Sequence, residues 1–547
     1  MKNSKQIMLA AVLVLLSYVF LFHGIGGYSL KEPDEGRYAE IPLEMIERGD
    51  WVVPHLNGVR YFEKPPLFYW AVAASYTIFG ISEWSFRFPN ALSAFLCIAV
   101  LYFALRGRFP EEEAFISSVV LLSSFGFFAM ARIVTLDMFF TFLLFCALTS
   151  FIGYYKERKR RLLYAFYAAL GLATLTKGPV CVILAGITII IFLMTEKNLA
   201  FLRELKPLRG LAIYAVITLP WIIAMALREK EFLYFFFIDQ HVLRFLTSKH
   251  KRSGPVYYFL PVLFAGFLPW SVLIPRSIVN AWKNSEMRFF AIWAFVVFVF
   301  FSLSGSKLPP YILPAFPALS VLIGHLFYSC WGDLIKKRIE ATIYLVIFGV
   351  FAVSALLPSN DLFNAYINGI SEEAPIIMKD LRSFSVAVSL SSFVIFCLLI
   401  VRRLNKFSVL FSLFSLFSLF LVSAIISNTP LLDRINTTKG LAAIIDQKST
   451  GQDTIVNYAS FDQTLPFYTR SKVIIASYKG ELEMGSRYED AKDIFINDGQ
   501  LGALLDSPKS VFTVLKKKRL AVLQGKVSRP MTILKCMNER CLVYNRQ

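Results

Sequence analysis

The chain has 547 residues, of which 56% are hydrophobic and only 17% charged, with a mean hydropathy of +0.57. A soluble chain carries about a quarter charged residues; a purely soluble enzyme, a disordered chain and a collagen-like repeat are therefore excluded, and a polytopic membrane protein with an appended soluble domain remains. The formal net charge of +19 needs no nucleic acid, because cytoplasmic loops of membrane proteins collect Lys and Arg and no basic stripe marks a soluble face.

A span takes about 20 apolar residues. The first candidate, 7–27, follows Lys2 and Lys5 and has no small-residue cleavage site after it, which predicts a retained anchor with a cytoplasmic N-terminus. A long external loop, 28–90, comes next; its apolar stretch 68–79 is short, aromatic and preceded by Pro65-Pro66, so it reads as a helix lying at the interface. Further spans are expected at 89–105, 114–131, 138–155, 162–175, 179–195, 210–227, 257–275, 289–303, 311–330, 341–357, 383–401 and 407–427. Basic clusters at 156–161, 197–209, 276–288, 336–338 and 402–406 are each separated by two apolar segments, which puts them on one side. Parity then gives about thirteen spans and an external C-terminus. The repeat FSLFSLFSLF at 411–420 is either a packing seam with Ser412, Ser415 and Ser418 as small residues or, the simpler reading, a lipid-facing helix.

From 428 the composition changes to short β-branched runs (DTIVNYAS, KVIIAS, RLAVLQ) between polar turns, with helical spacing near 438–446 and 498–506. The expected division is 1–427, a membrane domain, and 428–547, an external α/β domain with its own core. Cys97, Cys146, Cys181, Cys330 and Cys397 fall in or beside spans and read as packing residues. Cys536 and Cys541 flank a four-residue turn where a disulfide is possible; their spacing does not suit zinc.

Polar residues in costly places gather on the external side. The first loop holds EPDEGRYAE (32–40) and YFEKPPLFYW (61–70). Later external turns hold Arg132 and Asp137, then Lys177, then Asp239, His241 and Arg244, then Lys307 and Tyr311. A solvated loop or a helix cap accounts for each alone. Together they place cations and carboxylates at one membrane surface, which suits a substrate with an anionic head group and a lipid tail.

EPDEGRYAE followed by YFEKPP, with a TLD turn about a hundred residues later and TKGP and KLPPY in support, resembles the lipid A aminoarabinose transferases and, more distantly, the protein O-mannosyltransferases of the glycosyltransferase C superfamily. The resemblance covers essentially the whole chain. It implies a polytopic α-helical membrane protein with interfacial helices in the first external loop and a C-terminal periplasmic α/β domain, in the inner membrane of a bacterial envelope. It further implies transfer of a sugar, with inversion, from a polyprenyl-phosphate carrier to an acceptor on the external face. By the same resemblance Asp34 positions or deprotonates the acceptor and Asp137 cooperates with it; Lys64, Arg244 and Tyr311 hold the carrier phosphate; Arg37, Tyr38, Lys177, Lys307 and Glu35 line the pocket. Glu63 falls at a position implicated in binding a divalent metal such as zinc, with His241 as second ligand. Glu32 and Glu40 read as solvated neighbours.

The expected partners are the carrier lipid, lipid A or another envelope acceptor, and the membrane, with the protein acting as a monomer. The sugar (aminoarabinose, galacturonic acid, galactosamine or mannose) stays open. The nearest alternative keeps the donor and exchanges lipid A for a protein hydroxyl or another glycan. A transporter of lipid-linked sugars is disfavoured by the lack of internal repeats, and a ligand sensor by the lack of a clustered site in the C-terminal domain.

Overall fold

Uncharged apolar runs that meet lipid leave backbone amides no partner but their own helix, and the long apolar runs among the described residues up to 427 are accordingly helical. The computed structural model describes residues 2–244, 254–331, 406–427, 436–528, 530–537 and 539–546; the spans expected at 341–357 and 383–401, the basic residues 336–338 and Cys397 lie outside them. Among the described residues seven helices are long and apolar enough to cross a membrane: Ser4–Phe22, Glu83–Arg106, Leu136–Glu157, Pro207–Arg228, Ser285–Leu303, Pro309–Ser329 and Phe407–Ser427. The run expected as one span at 114–131 is a broken pair, Glu111–Ser123 and Phe125–Arg132, bent by 62°. The break falls at Ser124, whose backbone is extended, and Phe125 N–H donates to the Leu268 carbonyl instead of continuing the helix. Counted as one span, the pair makes eight. Of the other expected spans, 162–175 and 179–195 are the shorter helices Arg160–Lys177 and Val180–Thr195, and 257–275 is split into helical pieces beginning at Phe259–Gly266.

The bundle has two distinct ends. Lys5 pairs with Glu112 (2.5 Å), Arg108 with Glu286 (3.4 Å), Arg288 with Glu196 (3.1 Å) and Arg158 with Glu204 (2.6 Å), so these loops share one end. The opposite end carries the first loop. There α2 (Asp34–Arg48) is followed by a hairpin, β1 (His55–Leu56) and β2 (Val59–Arg60), and by α3 (Leu67–Phe79). Asn57-Gly58, both at positive φ, makes the two-residue turn that pairs Leu56 with Val59.

Beyond this loop lies a six-stranded sheet of order β5-β4-β3-β6-β8-β7, formed by β3 (Thr454–Tyr458), β4 (Ile474–Ala476), β5 (Phe495–Ile496), β6 (Val511–Lys516), β7 (Thr532–Met537) and β8 (Arg540–Tyr544). The first four strands in that order are parallel, and β8 and β7 are antiparallel. Alternate residues serve opposite faces: Val456 and Tyr458 pack with Leu501 and Leu505, whereas Ile455 packs with Leu441 and Ile445. Helices thus cover both faces, which a parallel sheet requires. Cys536 and Cys541 are bridged across the β7–β8 turn.

The C-terminal domain sits directly on the first loop. Leu30, Tyr38, Leu56 and Tyr69 share an apolar cluster with Phe461, Phe467, Leu482 and Ile494. Asn57 exchanges two hydrogen bonds with Val473, donating from Nδ2 at 2.7 Å and accepting at 2.8 Å. Glu32 accepts from the Gln463 and Thr464 amides, both at 2.8 Å, and from the Thr464 hydroxyl.

Candidate active site

The acidic motif starts α2, with Asp34 and Glu35 in its first turn, where carboxylates are favoured by the free amides and the helix dipole. Helical spacing then separates them. Asp34, Arg37 and Tyr38 lie on one face: the Arg37 guanidinium reaches Asp34 Oδ1 at 2.9 Å through Nη2, and through Nη1 it meets the Tyr61 hydroxyl at 2.9 Å and Glu481 at 3.0 Å. The Asp34 side chain remains 46% exposed, so it borders open space.

Glu35 points the other way. Its carboxylate pairs with Arg87 at 2.7 and 3.0 Å and accepts from the Val134 and Lys31 amides, both at 3.1 Å. Arg87 is fully buried and also donates to the carbonyls of Ile25, Tyr28 and Ser29. Glu35 therefore ties the first loop to two helix ends and does not line the cleft.

The second aspartate arrives from the membrane helices. Thr135 caps the helix Leu136–Glu157, placing Asp137 in its first turn; the next helix returns antiparallel and ends at Lys177. The two side chains form a buried ion pair. Lys177 Nζ also lies 4.4 Å from the centre of the Tyr311 ring.

Between these acids stands a group of cations. Lys64, held after β2 and before Pro65-Pro66, is half-buried. Burial and the neighbouring Arg244 push its amine down to about 7, with Glu63 opposing and Lys177 and Arg37 adding to the effect. Arg244 donates to Gln240 Oε1 at 2.9 Å and reaches the Tyr311 hydroxyl at 3.5 Å. Lys64, Arg244, Lys177, Arg37, Tyr38 and Tyr311 thus lie within electrostatic reach of one another and of Asp34, Asp137 and Glu63. Lys307 is buried at the same end, but its ammonium donates to the Ser304 carbonyl at 2.5 Å.

The expected metal pair does not fit. His241 places Nδ1 2.5 Å from the Phe236 carbonyl and Nε2 3.2 Å from the Lys177 carbonyl. The absence of a side chain on Gly178 lets the ring come this close. Burial and Lys64 push the imidazole down to about 4. Among the described residues no group of three or more His, Cys, Asp or Glu is arranged to hold a metal ion, so Glu63 and His241 lack the further ligands that such a site requires.

The family described as dolichyl-phosphate-mannose-protein mannosyltransferase matches residues 63–223, and the aminoarabinose transferase C-terminal domain matches 441–545. A protein of Serratia proteamaculans (strain 568) named undecaprenyl phosphate-alpha-4-amino-4-deoxy-L-arabinose arabinosyl transferase is 30% identical, covering 91% of this chain and 90% of its own. The chain belongs to the aminoarabinose transferase family. A relative of the same name from Erwinia tasmaniensis is 30% identical over 86% of each chain. The crystal structure of ArnT from Cupriavidus metallidurans bound to undecaprenyl phosphate superimposes with a TM-score of 0.82 at 27% identity, covering 100% of this chain and 99% of that one. This family member is accordingly a multi-pass integral-membrane glycosyltransferase.

Three features of this aminoarabinose transferase family member escape a reading of its sequence. Arg87 opens an otherwise apolar helix, and an arginine so placed is a signal in itself. The Asn57-Gly58 pair announces a hairpin. Glu481, in an ordinary polar stretch, carries no local signal at all.

Proposed function

We propose that this protein transfers 4-amino-4-deoxy-L-arabinose, or a closely related sugar, from undecaprenyl phosphate to a phosphate of lipid A on the periplasmic face of the inner membrane. The observation that carries this reading is the gathering of Lys64, Arg244 and Tyr311 near Arg37, which holds the half-exposed Asp34. The named donors of the Serratia and Erwinia relatives, and the lipid phosphate in the Cupriavidus structure, support the choice of carrier. An apolar cavity of about 300 Å³ supports it too: Phe125, Met130, Val262, Pro309, Ile312 and Phe316 line it on either side of the Tyr311 segment, and it suits a prenyl tail.

In this reading the bond between the anomeric carbon and the carrier phosphate breaks, and charge builds on that phosphate. Lys64, Arg244 and the Tyr311 hydroxyl neutralise it where it develops, which is where a fixed charge lowers a barrier. An anionic oxygen of the acceptor phosphate forms the new bond from the opposite face of the sugar, giving inversion. No proton need leave an acceptor that is already ionised. Asp34 then orients the acceptor or the sugar amine, and Asp137, steadied by Lys177, faces the positive charge that develops on the ring. The N-terminus and the basic loops lie in the cytoplasm, and the division into membrane and periplasmic parts falls near 428.

Asp34→Asn tests the site. The variant should bind undecaprenyl phosphate normally and lose transfer by about a hundredfold or more; unchanged turnover would remove Asp34 from the mechanism. Matches to a protein mannosyltransferase family within 63–223 favour a peptide hydroxyl as the second reading of the acceptor. Labelled sugar offered with lipid A and with peptide separates the two: label entering peptide and never lipid A overturns the first.

A further inference from the structure

We propose that Glu481, carried by the C-terminal domain, is a positioning residue for the transfer reaction: it shares the Arg37 guanidinium with Asp34 and thereby sets the orientation of Asp34. The inference rests on the role assigned to Asp34 above.

The geometry is specific. Arg37 is 5% exposed, and its Nε has no hydrogen-bond partner. The guanidinium is therefore held at its two terminal nitrogens, Nη2 on Asp34 and Nη1 on Glu481 and Tyr61. Glu481 is itself fixed, since Gln463 donates to its other oxygen at 2.5 Å. One cation thus serves two carboxylates, one facing the cleft and one behind it.

A simple tie between domains does not need this arrangement. Glu32 with Thr464 and Asn57 with Val473 already join the same surfaces. A third carboxylate also comes at a cost: burial raises the Glu481 pKa, and although Arg37 opposes this, Glu63 and Asp34 add like charge. Tyr61, Tyr69 and Tyr478 also face it.

While Glu481 is ionised it draws part of the guanidinium charge away from Asp34. Replacing it by a neutral amide of the same shape leaves Asp34 alone with the full cation. Asp34 is then drawn more tightly onto Arg37 and turned from its working orientation.

The test is Glu481→Gln in the full-length protein, with kcat and KM measured and thermal unfolding followed in parallel. We expect kcat to fall about tenfold and KM for undecaprenyl-phosphate sugar to stay unchanged. Combined with Arg37→Ala, the substitution should add nothing further, because the two act through one contact. A wild-type kcat would overturn the proposal. So would a loss of activity that follows a lowered Tm and adds to that of Arg37→Ala. Asp34→Asn measured alongside separates the two levels of argument. An active Asp34→Asn refutes the site itself; an inactive one beside a normal Glu481→Gln refutes only the role of Glu481.

Discussion

A lysine whose amine is held near about 7 is only partly charged at neutral pH, and an anion bound beside it restores the charge. The protonated form of Lys64 is the one that holds phosphate, so affinity is full below about 7 and declines as pH rises through the higher value of the bound state. Binding of undecaprenyl phosphate to the wild type should weaken by about tenfold between roughly pH 6 and pH 8, and the decline should largely vanish in Lys64→Arg. A pH-independent wild-type affinity would separate Lys64 from the phosphate. At this scale the sequence is readable where a motif is compact: Asp34, Arg37, Tyr38, Glu63 and Lys64 all lie within two short stretches of one loop. It is unreadable where the partner is distant. Glu32 looks like a solvated neighbour until Thr464, 432 residues on, provides the donors that surround it. Glu40 likewise is buried beside Glu44, and burial together with that neighbour's charge raises its pKa well above the usual carboxylate range. The pairing of Glu63 with His241 follows from residue type, but the neighbours that occupy the imidazole are backbone carbonyls, which no side-chain pattern reveals.

Helices and strands meet at a few positions where a single methyl group decides the fit. A Cβ on Gly36 would stand 2.6 Å from the backbone of both Gln463 and Thr464, so Gly36→Ala should force α2 away from the C-terminal domain. Overpacking of this kind costs about 1–3 kcal/mol. Thermal unfolding in detergent should show a lowered Tm for Gly36→Ala and little change for Gly186→Ala, whose added methyl meets open space. Equal Tm values would show that the two surfaces yield easily. Element types were mostly legible from apolar runs and turn residues, including the aromatic helix Leu67–Phe79 in the first loop. The break at Ser124 was hidden, because no proline interrupts the run there. The Phe-Ser-Leu repeat also departs from its simpler reading. Phe411, Phe414 and Phe417 are buried, with Phe411 and Phe414 against Trp270, while Leu416 is 62% exposed. Steps of three keep the phenylalanines close to one helix face, and that face belongs to the bundle.

Across the whole molecule, the ion pairs that link Lys5, Arg108, Arg158 and Arg288 to their acidic partners gather the basic loops at the end opposite the cleft. A membrane-impermeant maleimide should therefore label Lys518→Cys and leave Lys159→Cys untouched in cells whose outer membrane alone is opened. The reverse pattern would invert the orientation. Loop charge made the gathering of basic loops at one end readable, whereas the union of the first loop with the C-terminal domain was not, since contacts such as Asn57 with Val473 bridge 416 residues. That union bears on how such proteins are recombined. Residues 28–90 and 436–546 are two halves of one mechanical coupling, so a chimera that borrows either from a relative must borrow both. Where substrate preference is exchanged between relatives, the smallest unit that can be swapped intact is this discontinuous pair.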